Sequence, residues 1–174
     1  ISENNAKYHY AGTAIPDLMG GITSTFSYKG LELSILGTFQ VGGLIYDGAY
    51  ASLMHAGNYG NALSVDILDR WQKPGDQSNN QRYSVSNAAA NNAYGYYQFS
   101  DAGFSDASYV RLRNLYIAFD VLTPSMKKIG INQANLFLQG HNLLTITSYK
   151  GLDPETQTFL PPVKLFTVGM EINF

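Results

Sequence analysis

The 174 residues contain no cysteine, which excludes a disulfide scaffold, a thiolate metal site and a cysteine nucleophile. Charge is scarce as well. Asp, Glu, Lys and Arg make up 14% of the chain, against roughly 25% in an ordinary soluble domain. With a net charge of −2 and no run of Lys or Arg, the chain offers nothing to a phosphate backbone, so nucleic acid is excluded as a partner. No apolar run approaches the roughly 18 residues of a transmembrane helix. Ile1 to Tyr10 is polar and lacks a leader pattern, so the expectation is a removed leader or a start inside a longer protein. Chemistry is thin too. His9, His55 and His141 are too scattered for a metal triad, and Asp66, Asp69, Asp153 and Glu155 lack calcium-loop spacing. No Gly-x-Ser-x-Gly elbow, dinucleotide fingerprint or phosphate loop occurs. No metal, no cofactor and no enzymatic activity are expected.

What the chain does have is apolar and amphipathic surface. Hydrophobic residues reach 45%, and the aromatics are 13 Tyr and 9 Phe beside 1 Trp. Tyrosine-rich, charge-poor composition suits a surface that meets lipid at one height and water at another. An all-β carbohydrate-binding domain has a similar balance, so composition alone leaves both open.

Five segments alternate with the period of a β-strand: 21–28, 31–41, 107–122, 132–147 and 165–174. In the second, Leu31, Leu33, Ile35, Phe39 and Val41 oppose Glu32, Ser34, Thr38 and Gln40. Lys29-Gly30 joins it to the first as a tight turn. In the third, Leu115, Ile117 and Phe119 oppose Asn114, Tyr116 and Asp120, but Val110 and Leu112 sit on the other parity. That reads as a bulge near Arg113-Asn114, or as an upper part of the strand that has left the lipid zone. A short helix is expected from Ser64 to Trp71, and 79–100 shows no sustained period.

The connections alternate between short (29–30, 123–130) and long (42–105, 148–164), as in transmembrane barrels with brief periplasmic turns and large external loops. Strands of about ten residues suit a tilted bilayer crossing. Five strands cannot close such a barrel, and edges left open in lipid are forbidden. The expectation is an all-β transmembrane antiparallel β-barrel, of which this chain is the C-terminal five strands, the rest lying upstream.

Several stretches make that specific. They are Ile15-Pro16-Asp17-Leu18-Met19-Gly20-Gly21, Phe26-Ser27-Tyr28-Lys29-Gly30-Leu31-Glu32-Leu33-Ser34 and Asp69-Arg70-Trp71. The series continues with Asp106-Ala107-Ser108-Tyr109-Val110-Arg111-Leu112-Arg113-Asn114-Leu115, Gly140-His141-Asn142-Leu143-Leu144-Thr145 and Tyr149-Lys150-Gly151-Leu152-Asp153-Pro154-Glu155. In this order, across nearly the whole chain, they resemble the SusC/RagA family of TonB-dependent outer-membrane transporters. His141 stands where the family usually has Gln, and Tyr116-Ile117-Ala118-Phe119 where Gly-Tyr is more usual. The resemblance implies a plugged barrel of roughly 22 strands that imports glycan fragments or peptides across the bacterial outer membrane. It implies four partners: the remainder of the barrel with its plug, a SusD-like surface lipoprotein, the TonB complex acting through the plug, and outer-membrane lipid. The resemblance also implies that the plug domain, absent from residues 1–174, would lie upstream of Ile1.

Site residues are weighed against plainer roles. Arg70, Trp71, Tyr94, Tyr96, Tyr97 and Phe99 could contact a ligand, since aromatic faces pack on sugar C–H surfaces or peptide side chains. Packing the loop or meeting the lipoprotein cap is the simpler role. Arg111 and Arg113 share a parity that points into the lumen or to a solvated rim. Thr167, Gly169, Ile172 and Phe174 resemble the terminal-strand signal for outer-membrane assembly, against an ordinary amphipathic last strand. Tyr28, Phe39, Tyr109, Phe166 and Phe174 are candidates for interfacial girdles. Two other functions remain: a passive porin or adhesin-type barrel end without TonB coupling, and a soluble carbohydrate-binding β-sandwich.

Overall fold

A computed structural model describes residues 9–55, 57, 60–98, 100–157 and 160–174, together with the backbone but not the side chains of residues 90, 97 and 98. The chain divides into two compact units. One comprises residues 16–42, 108–147 and 161–174 and is a single antiparallel sheet. The other comprises the described parts of 1–15, 43–107 and 148–160 and holds the long connections.

The sheet has five strands: β1 (Leu18–Tyr28), β2 (Leu31–Val41), β5 (Tyr109–Asp120), β6 (Gln133–Thr147) and β7 (Leu165–Asn173), in the order β1-β2-β5-β6-β7. The β1–β2 hairpin turns on Lys29 and Gly30, with φ of +47° and +81°. Both values are left-handed, as a two-residue turn between twisted strands requires. β1 begins at Leu18, earlier than the alternation from residue 21 suggests. Leu18↔Val41 through Gly20↔Phe39 continue the ladder although Leu-Met-Gly-Gly does not alternate. Between β5 and β6, the helix α3 (Pro124–Lys128) fills the short connection, capped by Thr123, whose Oγ1 accepts the Met126 amide at 3.4 Å.

The register resolves the parity conflict in β5. Opposite β2, Leu36 pairs with Asn114 but Gly37 pairs with Leu112, so Arg113 is an extra residue. A bulge reverses which parity faces which side. Val110 and Leu112 therefore share a face with Leu115, Ile117 and Phe119, while Tyr109 and Arg111 join Asn114, Tyr116 and Asp120. The β6 partner is irregular at the same level, where Leu112 pairs with Leu144 and Asn114 with His141. Asn142, in that irregularity, has φ of +52°, a conformation asparagine tolerates better than most residues. Its Nδ2 donates to the Val163 carbonyl at 3.2 Å.

Read across the paired strands, one face is almost wholly apolar. Ile22 and Phe26 on β1, Ile35 on β2, Val110 and Phe119 on β5, Leu138 and Ile146 on β6, and Phe166, Val168 and Met170 on β7 are all exposed. Val168 reaches 71% and Ile22 68%. The opposite face carries Thr25, Ser34, Thr38, Asn114, Gln139 and Thr167. Gly169 faces that polar side opposite Phe137, whose ring lies across it, so a methyl group there would collide with the ring. Phe137 stacks in turn on Tyr116, with centroids 5.7 Å apart and planes 28° apart.

The second unit begins with β3 (Leu44–Tyr46), paired antiparallel to β4 (Phe104–Asp106). Tyr46 and Phe104 meet edge to face at 5.8 Å across this pair. Helix α1 (Gly48–Leu53) follows β3, and Met54 and Ile67 form a small core against Tyr50 and Leu63. The expected helix at 64–71 shrinks to a 3-10 turn at Val65–Leu68, capped by Ser64, with Ile67 its one buried residue. A helix absent from the sequence reading, α2 (Ala88–Gln98), occupies the stretch without period. Three consecutive alanines start it, and alanine has the highest helix propensity.

Candidate functional site

Candidate side chains lie in both units. On the polar face of the sheet, Arg111 is 1% exposed and its guanidinium stands 5.4 Å from the Tyr109 ring centroid. Thr38 and Thr145 are its cross-strand neighbours. Arg113 is half-buried in the bulge, so the shared parity of the two arginines does not give them a shared register. Tyr109 corrects an expectation. The reversal at Arg113 puts it, buried, on the polar face, away from any lipid-facing girdle. Tyr28, Phe166 and Phe174 are exposed, and Phe39 lies on the apolar face, level with Gly20. Farther along the polar face, beside the short turns, Glu32, Asp120, Gln133 and Asn135 line a cleft of about 310 Å³.

In the loop unit, Arg70 and Trp71 are half-buried on one short stretch. Arg70 bridges Asn80, the Trp71 amide donates to the Asn80 carbonyl at 3.0 Å, and Arg70 Nη1 reaches the Ile67 carbonyl at 3.5 Å. Asn80 Nδ2 donates to the Asp69 carbonyl at 3.1 Å, which closes this turn. Tyr94 on α2 donates its hydroxyl to the Ala51 carbonyl at 2.9 Å and meets the His55 ring edge-on at 3.9 Å. It also lines a cavity of about 80 Å³ with Met54, Ile67, Asn80 and Gln81. Asn80 of the turn and Tyr94 of the helix therefore line one cavity. Tyr96, on the same helix, is exposed. The side chain of Tyr97 and the whole of Phe99 lie outside the described residues.

Asp47, Tyr149 and Gly151 form a cluster to which the sequence reading gave no role. Asp47 is the N-cap of α1 and accepts the Tyr50 amide at 2.9 Å, while remaining 1% exposed. Burial pushes the Tyr149 phenol up to about 12, and the Asp47 carboxylate adds to the rise by its charge and by accepting the hydroxyl. Asp153 contributes a smaller repulsion. An Asp just ahead of Gly-Ala-Tyr-Ala-Ser-Leu was the available signal, since aspartate is a favoured N-cap.

On the terminal strand, Thr167 pairs with Gln139 and Gly169 with Phe137 on the polar face, while Ile172 pairs with Ala134 and faces the other way. Phe174 is 83% exposed.

No protein-family model matches the sequence. Two curated proteins from Formosa agariphila do. TonB-dependent receptor P3 is 26% identical over 180 residues, and TonB-dependent receptor P26 is 28% identical over 183. Each match covers 94% of this chain but 17% of the receptor. In solved structures, the fold matches a chain of the RagAB peptide transporter with a TM-score of 0.75 and 24% identity. It also matches the open-open state of the RagAB peptide importer, with a TM-score of 0.71 and 24% identity. Both structural matches span 94% of this chain and 18% of the other.

Over 94% of its length the chain is similar to TonB-dependent receptors, and its fold is that of part of a RagAB transporter chain.

Its sheet corresponds to a fragment of the β-barrel in that solved chain. The chain spans about a sixth of its curated relatives' length, and those relatives are named as receptors.

Proposed function

We propose that this segment supplies five membrane-crossing strands and two external loops to a SusC-like barrel that actively imports peptides or glycan fragments. The observation that carries the membrane part is the exposed apolar face spanning all five strands, opposite a polar one. Soluble monomers seldom expose contiguous apolar patches beyond a few hundred Å², whereas a barrel wall in lipid is apolar outside and polar within. A soluble sandwich would bury that face under a second sheet, and the exposures are those of an uncovered face. The edges of β1 and β7 are unpaired among the described residues, and in this reading both are closed by further strands of the same barrel.

In this reading the polar face lines the lumen against the plug, with Arg111 and Arg113 toward the long-loop end. Arg70, Trp71, Tyr94, Tyr96, Tyr97 and Phe99 belong to the loops that meet cargo beneath a SusD-like lipoprotein. TonB acts through the plug, and outer-membrane lipid covers the apolar face. Thr167, Gly169, Ile172 and Phe174 form the edge that the assembly machinery engages.

The test uses the full-length receptor in its own cells, fed a defined mixture of peptides and oligosaccharides. Uptake of one class should stop when the proton gradient is collapsed, and Trp71→Ala with Tyr96→Ala should weaken binding about tenfold. Uptake that ignores the gradient would make the barrel a passive pore. Unchanged binding would remove the two aromatic residues from the site.

A further inference from the structure

The two long connections, 42–105 and 148–164, both contribute to the loop unit, and they meet at one buried carboxylate. Asp47 lies just ahead of α1 and accepts the Tyr50 amide at 2.9 Å, which closes the first turn of that helix. From about 100 residues later in the chain, Tyr149 faces the same carboxylate, and its ring and both Asp47 oxygens crowd around Gly151. Lys150 Nζ stands 5.0 Å from the Tyr50 ring centroid and 3.5 Å from its hydroxyl. Gly151 is seated against Asp47 so closely that a methyl group there would lie 2.6 and 2.8 Å from the two carboxylate oxygens. Asp153, 5% exposed, then accepts the Glu155 and Thr156 amides at 3.0 and 2.9 Å, which turns the strap back.

The residue types fit this contact and few others would. A buried carboxylate is costly unless donors surround it, and hydrogen bonds to a charged acceptor are the strong ones. The first turn of α1 supplies one donor. The Tyr149 hydroxyl of the other connection faces the same carboxylate, while Asp47 Oδ2 has no hydrogen-bond partner among the described residues. Gly151 is the size that lets the strap approach, and Lys150 places its cation over the face of Tyr50. The Asp47 amide also donates to the Gly103 carbonyl at 2.9 Å, beside β4. Asp47 thus ties together the helix, the β3–β4 pair and the strap.

We propose that Tyr149-Lys150-Gly151 is a latch that holds the first connection folded, so that the two loops order and unfold as one body. Each loop alone would be marginal. Among the described residues, the first has the small Met54–Ile67 core alone, and the second has no helix or strand of its own. A ligand that reaches Trp71 or Tyr96 therefore meets a surface whose order depends on a tyrosine in the other loop.

Amide hydrogen exchange in the full-length receptor, in detergent micelles, tests this. Tyr149→Phe should raise exchange at α1 about tenfold, whereas Leu152→Ala, which alters an exposed side chain of the same strap, should leave α1 unchanged. Faster exchange confined to residues 148–157, with α1 as in the unmodified protein, would overturn the latch. If Tyr149→Phe does not assemble, the unmodified receptor decides. Amides of α1 and of the 153–157 turn should lose protection at the same denaturant concentration. Separate midpoints would show two independent loops.

Discussion

Gly169 shows how a single position combines a local and a global demand. The Phe137 ring covers it, and the stack of Phe137 on Tyr116 holds the ring in place. Gly169→Ala should cost about 1–3 kcal/mol, as overpacking does, and lower the folded fraction of the full-length barrel. Gly169→Ala combined with Phe137→Leu should recover most of it. Failure of that rescue would mean that glycine is needed at the sheet edge for another reason, such as the assembly signal. Tyr149 gives a second residue-scale expectation. Its phenol is held neutral in the fold up to about 12, above the ordinary 10.0. A group whose folded pKa is raised favours the folded state most below the unfolded pKa. That contribution is complete below about pH 10 and is lost as pH rises from 10 toward 12. Ultraviolet titration of the receptor minus its Tyr149→Phe form should show one tyrosine ionising near 12. A difference curve centred near 10 would place Tyr149 in water.

At the scale of elements, the strands were the most legible feature because a half-buried strand has a strict period of two. β2 reads directly from Leu31 to Val41, and the Lys29-Gly30 turn from its glycine. Legibility failed where the period breaks for a physical reason. The bulge at Arg113 was visible only as a parity conflict, and its result, that Tyr109 and Arg111 turn to the polar face, needs the β2 register. Helix α2 has no apolar stripe to announce it, since its Tyr94 anchors by a hydroxyl bond to Ala51. The candidate ligand residues were legible as types but not as an arrangement. That Asn80, the bridge partner of Arg70, lines one cavity with Tyr94 depends on a turn and a helix distant in sequence. The latch was quoted as a motif, yet its partner Asp47 lies in the other loop and shares no pattern with it. The two faces of β2 give the matching prediction. Ile35→Arg, on the apolar side near the strand's centre, should destabilise the membrane-embedded receptor by about 2–4 kcal/mol. The adjacent Ser34→Arg, on the polar side, should cost far less. Equal costs, measured by denaturant unfolding in lipid, would contradict the assignment of faces.

For the whole molecule, the central claim is that this sheet is a wall with lipid on one side and the receptor's interior on the other. The exposed apolar face and the polar face behind it suit such a wall. The edges of β1 and β7, unpaired among the described residues, would need neighbouring strands in lipid. The most direct test exploits the absence of cysteine in this segment. Single cysteines are placed in the full-length receptor at Ile22, Ile35, Leu138 and Val168 on one face, and at Thr25, Ser34, Gln139 and Thr167 on the other. Each carries a fluorophore, and the protein is reconstituted in bilayers containing a quencher attached to the lipid tails. Strong quenching of the first four labels and weak quenching of the second four is the expected result. Equal quenching of both sets, or none in either, would contradict the account.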